Sequence, residues 1–291
     1  MHSIDSWKST GQKFRFRNHE IFYRYSPNGD KAVLCLHGFP TSSYDYNKIW
    51  DQLAQRLGVL TFDMIGYGFS DKPYDFPYTT NDQVDLLEAL VKKVGLKRVH
   101  ILAHDYGNTI TQELLARGHE RGIGFEIGSI CFLNGALFPE THRPILAQKI
   151  LISPIGAVFG RLIPLSMFRK SLASVFGPET QPSDSELNDY IQLFDNKGGR
   201  RISHKLIRYM RERAENRERW VGALEHMNPP FRFINGLADP VSGAHLVKRF
   251  RELLPDQKDI VELQGIGHFP HLEKPGEVLE RYLEFHYANI D

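Results

Sequence analysis

One stretch constrains this chain more than any other: Val99-His100-Ile101-Leu102-Ala103-His104-Asp105-Tyr106-Gly107-Asn108. It is apolar and β-branched up to Leu102, and a helical pattern follows with Ile110, Leu114 and Leu115 on one face. That order predicts strand, sharp turn, helix, with one side chain thrust out at the apex. The apex residue is Asp105, with small residues two places away on either side, Ala103 and Gly107. Small neighbours suit a turn whose backbone is strained and crowded. Serine is the usual apex residue of such turns. A carboxylate there points instead to displacement at an sp3 carbon, that is, to alkyl rather than acyl transfer.

The rest of the chain supplies a setting for that turn. Residues 13–16 and 21–25 alternate about Arg17-Asn18-His19-Glu20 and predict an antiparallel hairpin. Residues 32–36 and 59–62 are short apolar runs, expected as buried parallel strands. Helices are predicted over 44–57 and over 82–94, the second stopping at Gly95. Residues 127–133, 231–234 and 259–263 predict further strands, and 277–288 a last helix. Between 138 and 227 strand patterns vanish, and prolines at 139, 144, 154, 164, 178 and 182 cut the segment into short helices. The segment is too long for a connecting loop. The expected fold class is therefore α/β, a mostly parallel sheet flanked by helices. Residues 1–137 and 228–291 form the core, and 138–227 form an inserted helical cap.

Composition narrows the functional classes. Thirty-six basic and 35 acidic residues leave a formal charge of +1, so no field toward nucleic acid or an anionic membrane is implied. No stretch approaches 18 uninterrupted apolar residues, and residues 1–12 lack the apolar run of a signal peptide. Cys35 and Cys131 fall in predicted core strands. They read as buried free thiols, which suits a reducing, cytoplasmic setting. The basic run 200–219 is interleaved with Glu212, Glu215 and Glu218 and reads as a solvated cap face, not a nucleic-acid site.

Each remaining catalytic candidate stands just past a predicted strand. Asp239 lies in Asn235-Gly236-Leu237-Ala238-Asp239-Pro240, and His268 in Gly265-Ile266-Gly267-His268-Phe269-Pro270. His37-Gly38-Phe39-Pro40 offers backbone amides. An aspartate nucleophile is ionised at neutral pH and needs no base to attack. The resulting ester must be hydrolysed, a step for which His268 would activate water while Asp239 holds the imidazole. Amides of Phe39 and Tyr106 would stabilise the oxyanion formed on the Asp105 carboxyl. Asn134 follows the preceding strand but carries no charge, which favours Asp239 as the acid. His37 is expected to order its loop, His104 to pack under the elbow, and Asp63 and Asp71 to brace theirs.

The chain resembles the aspartate-nucleophile branch of the α/β-hydrolase fold, which holds epoxide hydrolases and haloalkane dehalogenases. His-Gly-Phe-Pro at 37–40, Ala-His-Asp-Tyr-Gly at 103–107, Asp239 and Gly-His-Phe-Pro at 267–270 carry the likeness in order. Three further runs look closer still to the mesoderm-specific transcript protein group. They are Phe138-Pro139-Glu140-Thr141-His142-Arg143-Pro144, Val175-Phe176-Gly177-Pro178 and Arg219-Trp220-Val221-Gly222-Ala223-Leu224.

The resemblance implies a cofactor-independent hydrolase with no metal ligands, acting on a mostly apolar small molecule and water. Haloalkane dehalogenases hold the halide with a tryptophan after the nucleophile and an asparagine after His-Gly, or a cap tryptophan. Here Tyr106 and Phe39 fill the first two places, and Trp220 lies near the cap's end. Haloacetate dehalogenases carry arginines where this chain has Tyr106 and Thr109. Epoxide hydrolases protonate the ring oxygen with paired cap tyrosines. Tyr209 resembles the second of that pair; residues 144–155 hold no tyrosine for the first, and Tyr190 is the substitute. Epoxide hydrolysis is thus the leading reading and haloalkane dehalogenation the alternative. A catalytically idle ligand-binding relative is the third reading. Phe39, Tyr190 and Trp220 are expected to contact substrate, with Phe159, Phe168 and Phe176 completing apolar walls.

Overall fold

A computed structural model of the chain describes residues 2–289. Eight strands make one sheet: β1 (Gln12–Phe16), β2 (His19–Ser26), β3 (Lys31–Leu36), β4 (Val59–Phe62), β5 (Arg98–Ala103), β6 (Glu126–Phe132), β7 (Phe231–Gly236) and β8 (Ile260–Leu263). Their spatial order is β1-β2-β4-β3-β5-β6-β7-β8. β2 pairs antiparallel with both β1 and β4, and all other pairings are parallel.

Both faces of the sheet's centre are covered, which is why β3 and β4 are short buried runs, mostly apolar, while the edge strand β1 carries exposed polar residues. Along β3, Leu34 and Leu36 enter one core while Val33 and Cys35 enter the other, following the two-residue period of a strand. Cys35 and Cys131 are buried free thiols.

Helices α1 (Ile4–Ser9), α2 (Trp50–Ala54), α3 (Thr80–Val94) and α4 (Tyr106–Arg121) accompany the first five strands. α3 opens with a reciprocal Thr79–Asp82 capping box and ends at Gly95, whose φ of 77° reverses the chain. Between β6 and β7 every element among the described residues is helical: α5 (Leu146–Ile152), α6 (Gly156–Leu162), α7 (Leu165–Ala173), α8 (Asp184–Asp195), α9 (Ser203–Leu206), α10 (Tyr209–Glu215) and α11 (Arg217–Glu225), with short 3-10 turns. α12 (Ala244–Leu253), α13 (Pro270–Glu273) and α14 (Pro275–Ala288) complete the chain. Among the described residues no helix is long and apolar enough to cross a membrane.

Two segments depart from the sequence-based expectation. The helix expected over 44–57 is a 3-10 turn, Ser43–Tyr46, followed by the short α2. Tertiary bonds hold it in that shape. Ser43 N donates to Asp63 Oδ1 at 2.8 Å, and the Tyr46 hydroxyl donates to the Leu36 and Leu102 carbonyls at 2.8 and 3.0 Å. The polar N-terminal segment forms α1, anchored by the fully buried Trp7. Its indole N–H donates to Ser43 Oγ at 3.2 Å, and the Arg24 guanidinium lies 3.9 Å from its ring centre.

Candidate active site

Asp105 sits between β5 and α4 with φ 46° and ψ −107°. A non-glycine residue held there stores roughly 1–3 kcal/mol of strain. The crowding that the small flanking residues foretell is real, since a Cβ on Gly107 would lie 2.5 Å from the Leu36 carbonyl oxygen. Asp105 N donates to the Asn134 carbonyl at 2.7 Å, and Asp105 Oδ2 accepts from Phe39 N at 3.0 Å. That last bond depends on Gly38, whose Cβ would come within 2.6 Å of Asp105 Cβ.

The loop carrying Phe39 is fixed by His37. The ring's Nδ1–H donates to the Gly38 carbonyl at 2.9 Å and its Nε2 accepts from Met64 N at 3.0 Å. Burial lowers the His37 pKa despite the nearby Asp63, keeping the ring neutral for both bonds. Asp63 in turn accepts from Ser43 N and, at 2.7 Å, from Phe69 N, so it braces its loop. Tyr106 begins α4, where the first amides have no acceptor within the helix.

His268 follows β8 and directs Nδ1 at Asp239 Oδ2, 2.7 Å away. The same oxygen accepts from Asn134 Nδ2 at 3.0 Å and from Ser242 Oγ at 2.6 Å, while Oδ1 accepts from Val241 N at 2.7 Å. Burial opposes the Asp239 charge, but His268 and these donors outweigh it and hold the carboxyl down at about 2. Burial likewise opposes an imidazolium at His268, yet Asp239, with help from Asp105, lifts it to about 9. His104, one residue before Asp105, donates from Nε2 to the His268 carbonyl at 2.7 Å. Elements far apart in sequence are thus fastened to each other directly beneath the site. Asn134 and Ser242 are the supporting residues whose roles sequence reasoning missed. The only signal was a polar residue past β6 and a serine three places after Asp239.

The cap contributes Tyr209, fully buried at the start of α10. Its ring centre lies 4.5 Å from that of Tyr106 and 5.9 Å from that of Phe39. Burial, reinforced by Asp105, pushes the phenol well above its usual pKa, so it stays protonated. Its hydroxyl has no hydrogen-bond partner among the described residues.

An apolar cavity is lined by Phe39, Ile163, Phe168, Leu172, Val175, Phe194, Val241, His268 and Phe269. Phe168 therefore lies where an apolar wall is expected, and Phe176 stacks on Phe269 with ring centres 4.9 Å apart. Phe159 packs against both cores. Trp220 and Tyr190 are corrections. Trp220 turns toward α4 and donates its indole N–H to Glu113 Oε2 at 2.7 Å, because a buried indole needs an acceptor. Tyr190 sits in α8 edge-on to Tyr44, ring centres 6.1 Å apart, and does not line the cavity. The basic run 200–219 also needs correction at one point, since Arg213 is only 1% exposed.

One group among the described residues, Asp45, His104 and His271, gathers three buried ligand atoms of metal-binding type within 4.8 Å of one another. Ligands of a tetrahedral zinc stand about 3.3 Å apart, so this cluster is looser than a formed metal site.

Residues 33–281 match the family model described as alpha/beta hydrolase family. The chain is 40% identical to the human mesoderm-specific transcript homolog protein over 296 aligned positions, covering 97% of this chain and 88% of that one. Among solved structures it is similar to haloalkane dehalogenase DbeA from Bradyrhizobium elkani, at TM-score 0.77 and 22% identity, covering 96% of this chain and 99% of that one. It is also similar to the Cif epoxide hydrolase from Acinetobacter nosocomialis, at TM-score 0.79 and 16% identity, covering 94% and 88%. At such identities the structural likeness establishes the fold.

Proposed function

This chain belongs to the alpha/beta hydrolase family, and we propose on that premise that it is a cofactor-independent hydrolase working through a covalent ester on Asp105. The ester is of the epoxide hydrolase type, and the substrate is mostly apolar. One observation carries the reading: a carboxylate at the elbow apex, 3.0 Å from the Phe39 amide, beside a buried His268–Asp239 pair.

In the first half-reaction an Asp105 oxygen bonds to a ring carbon of the epoxide and the carbon–oxygen ring bond breaks. Its electron pair goes to the ring oxygen, which takes a proton from the Tyr209 hydroxyl. The ester no longer carries the Asp105 charge, which is one of the groups holding the proton on His268. The imidazolium therefore becomes more acidic and returns a proton to the phenolate. In the second half-reaction water adds to the Asp105 carbonyl carbon and gives its proton to the neutral His268. The oxyanion faces the amides of Phe39 and Tyr106. Collapse breaks the bond to the alkyl oxygen, which takes the remaining hydroxyl proton, and a diol leaves. Carboxylate, imidazolium and phenol are restored together.

The Trp220 indole, bonded to Glu113, is unavailable to hold a halide, which weighs against the haloalkane reading. The test is one turnover in 18O water with enzyme in excess over an epoxide. Label is expected in the Asp105 side chain; product formed without label there overturns the ester route. Halide release from haloalkanes without diol formation from epoxides would favour the alternative.

A further inference from the structure

Arg213, on α10, is 1% exposed. Its Nε and Nη2 both donate to Thr109 Oγ1, at 3.0 and 2.8 Å, and its Nη1 has no partner among the described residues. Among the described residues no carboxylate pairs with it. The adjacent Glu212 is turned away, its Oε2 accepting from Thr80 N at 2.8 Å. Charged side chains are almost never fully buried unless paired. Of the other buried arginines, Arg117 meets Glu113, Asp85 and Glu88, whereas Arg24, like Arg213, rests on aromatic rings and keeps unpartnered nitrogens, 3.9 and 4.4 Å from the centres of Trp7 and Trp50; what sets Arg213 apart is where it lies.

The position of the unpaired guanidinium matters. Its central carbon lies 4.9 Å from the centre of the Tyr209 ring, whose hydroxyl is also unpartnered. Tyr209 experiences the charges of both Asp105 and Arg213. His142 experiences Arg213 as well as His268 and Asp239, and burial holds it neutral, its pKa down at about 3. The guanidinium is thus buried beside Tyr209, whose ring packs on those of Tyr106 and Phe39.

We propose that Arg213 receives a carboxylate of the substrate. The substrate is then an amphipathic acid, with its carboxylate on the guanidinium and its apolar body along the cavity lined by Phe168. Only the placement of the electrophilic carbon at Asp105 rests on the ester reading above. A neutral analogue leaves the buried cation unpaired. An acid without Arg213 brings a second negative charge into a site that already holds Asp105. Discrimination therefore works in both directions.

The test uses unreactive probes first. Octanoate and octanamide are titrated calorimetrically into the full-length wild-type protein. Octanoate is expected to bind about 10- to 100-fold more tightly, the range for hydrogen bonds to a charged group. Arg213→Gln is expected to reduce that preference to threefold or less, and Arg213→Lys to retain part of it. Equal binding of acid and amide by the wild type overturns the proposal, as does a folded Arg213→Gln that keeps the preference. If Arg213→Gln does not fold, the wild-type comparison and Arg213→Lys decide.

The second arm compares turnover of an ω-epoxy medium-chain acid with that of its methyl ester. Selective binding of octanoate with no turnover of either epoxide overturns the ester reading and leaves the carboxylate site standing. An equal fall in kcat for acid and ester in Arg213→Gln, with the acid preference intact, assigns the guanidinium to the leaving oxygen and overturns the proposal.

Discussion

The side-chain amide of Asn134 donates to Asp239 Oδ2 at 3.0 Å, the oxygen that also meets His268 Nδ1. Asn134 further receives Asp105 N on its backbone carbonyl and Gly236 N on its side-chain oxygen, each at 2.7 Å. One uncharged residue thus joins the Asp105 turn to the Asp239 loop, and Asp239 is held in both position and charge. Five expectations follow from these relationships.

Asp239→Asn removes the main support of the imidazolium while keeping the side chain's shape. Its ester hydrolysis should slow by about 10²- to 10⁴-fold, with a much smaller effect on ester formation. Single-turnover kinetics separate the two, and equal slowing of both steps counts against the assigned role.

His268→Ala should form the ester and fail to release it. Intact mass measurement after incubation with an epoxide panel is expected to show a persistent adduct that maps to Asp105. An unmodified enzyme that also yields no product would mean that His268 is needed before the ester exists.

The His268–Asp239 pair ties stability to pH. The His268 pKa is raised from an ordinary value of 6.5 to about 9, so the folded state binds the proton more tightly than the unfolded chain. Its contribution is complete below pH 6.5 and is lost as pH rises through about 9. The Tm difference between wild type and Asp239→Asn should therefore be largest near pH 6 and shrink toward pH 10. A difference that stays constant over that range would contradict the pairing.

Tyr209→Phe keeps the ring that packs on Tyr106 and Phe39 but removes the hydroxyl. Epoxide opening should slow by about 10²-fold or more, while any displacement of halide is unaffected. Unchanged opening rates would remove Tyr209 as the proton donor.

Gly107→Ala places a methyl group against the backbone oxygen of Leu36, 2.5 Å away. A backbone atom at a sheet's centre has little room to yield. Urea denaturation should show a loss of about 1–3 kcal/mol, and turnover should fall because the elbow itself must shift.

Much of this architecture is legible from the chain alone. β4 is a run of four buried apolar or small residues, and such runs have few alternatives to a covered strand. The elbow is equally plain, because a charged residue ends the apolar run of β5 between Ala103 and Gly107. Tertiary choices were harder to read. Nothing in a polar N-terminal segment reveals that Trp7 will anchor a helix. The 43–54 segment has helical composition, yet hydrogen bonds from residues far away in sequence fix it as a turn. Within the cap, helical periodicity gives each helix a buried side without saying what that side meets. Trp220 finds Glu113 and Tyr190 finds Tyr44. Arg213 is hidden among exposed basic neighbours, and its burial depends on how α10 lies over Thr109.

The His268 loop is gripped from two directions. His268 N donates to the Val175 carbonyl at 2.8 Å, and the Glu273 carboxylate accepts from Gly177 N at 2.9 Å and from Gly267 N at 2.8 Å. Asp105, by contrast, is fastened to the sheet side through Asn134 and Phe39. A change at the 175–177 rim is therefore felt first at the His268 backbone, and the bond from His104 to the His268 carbonyl carries it on to the elbow.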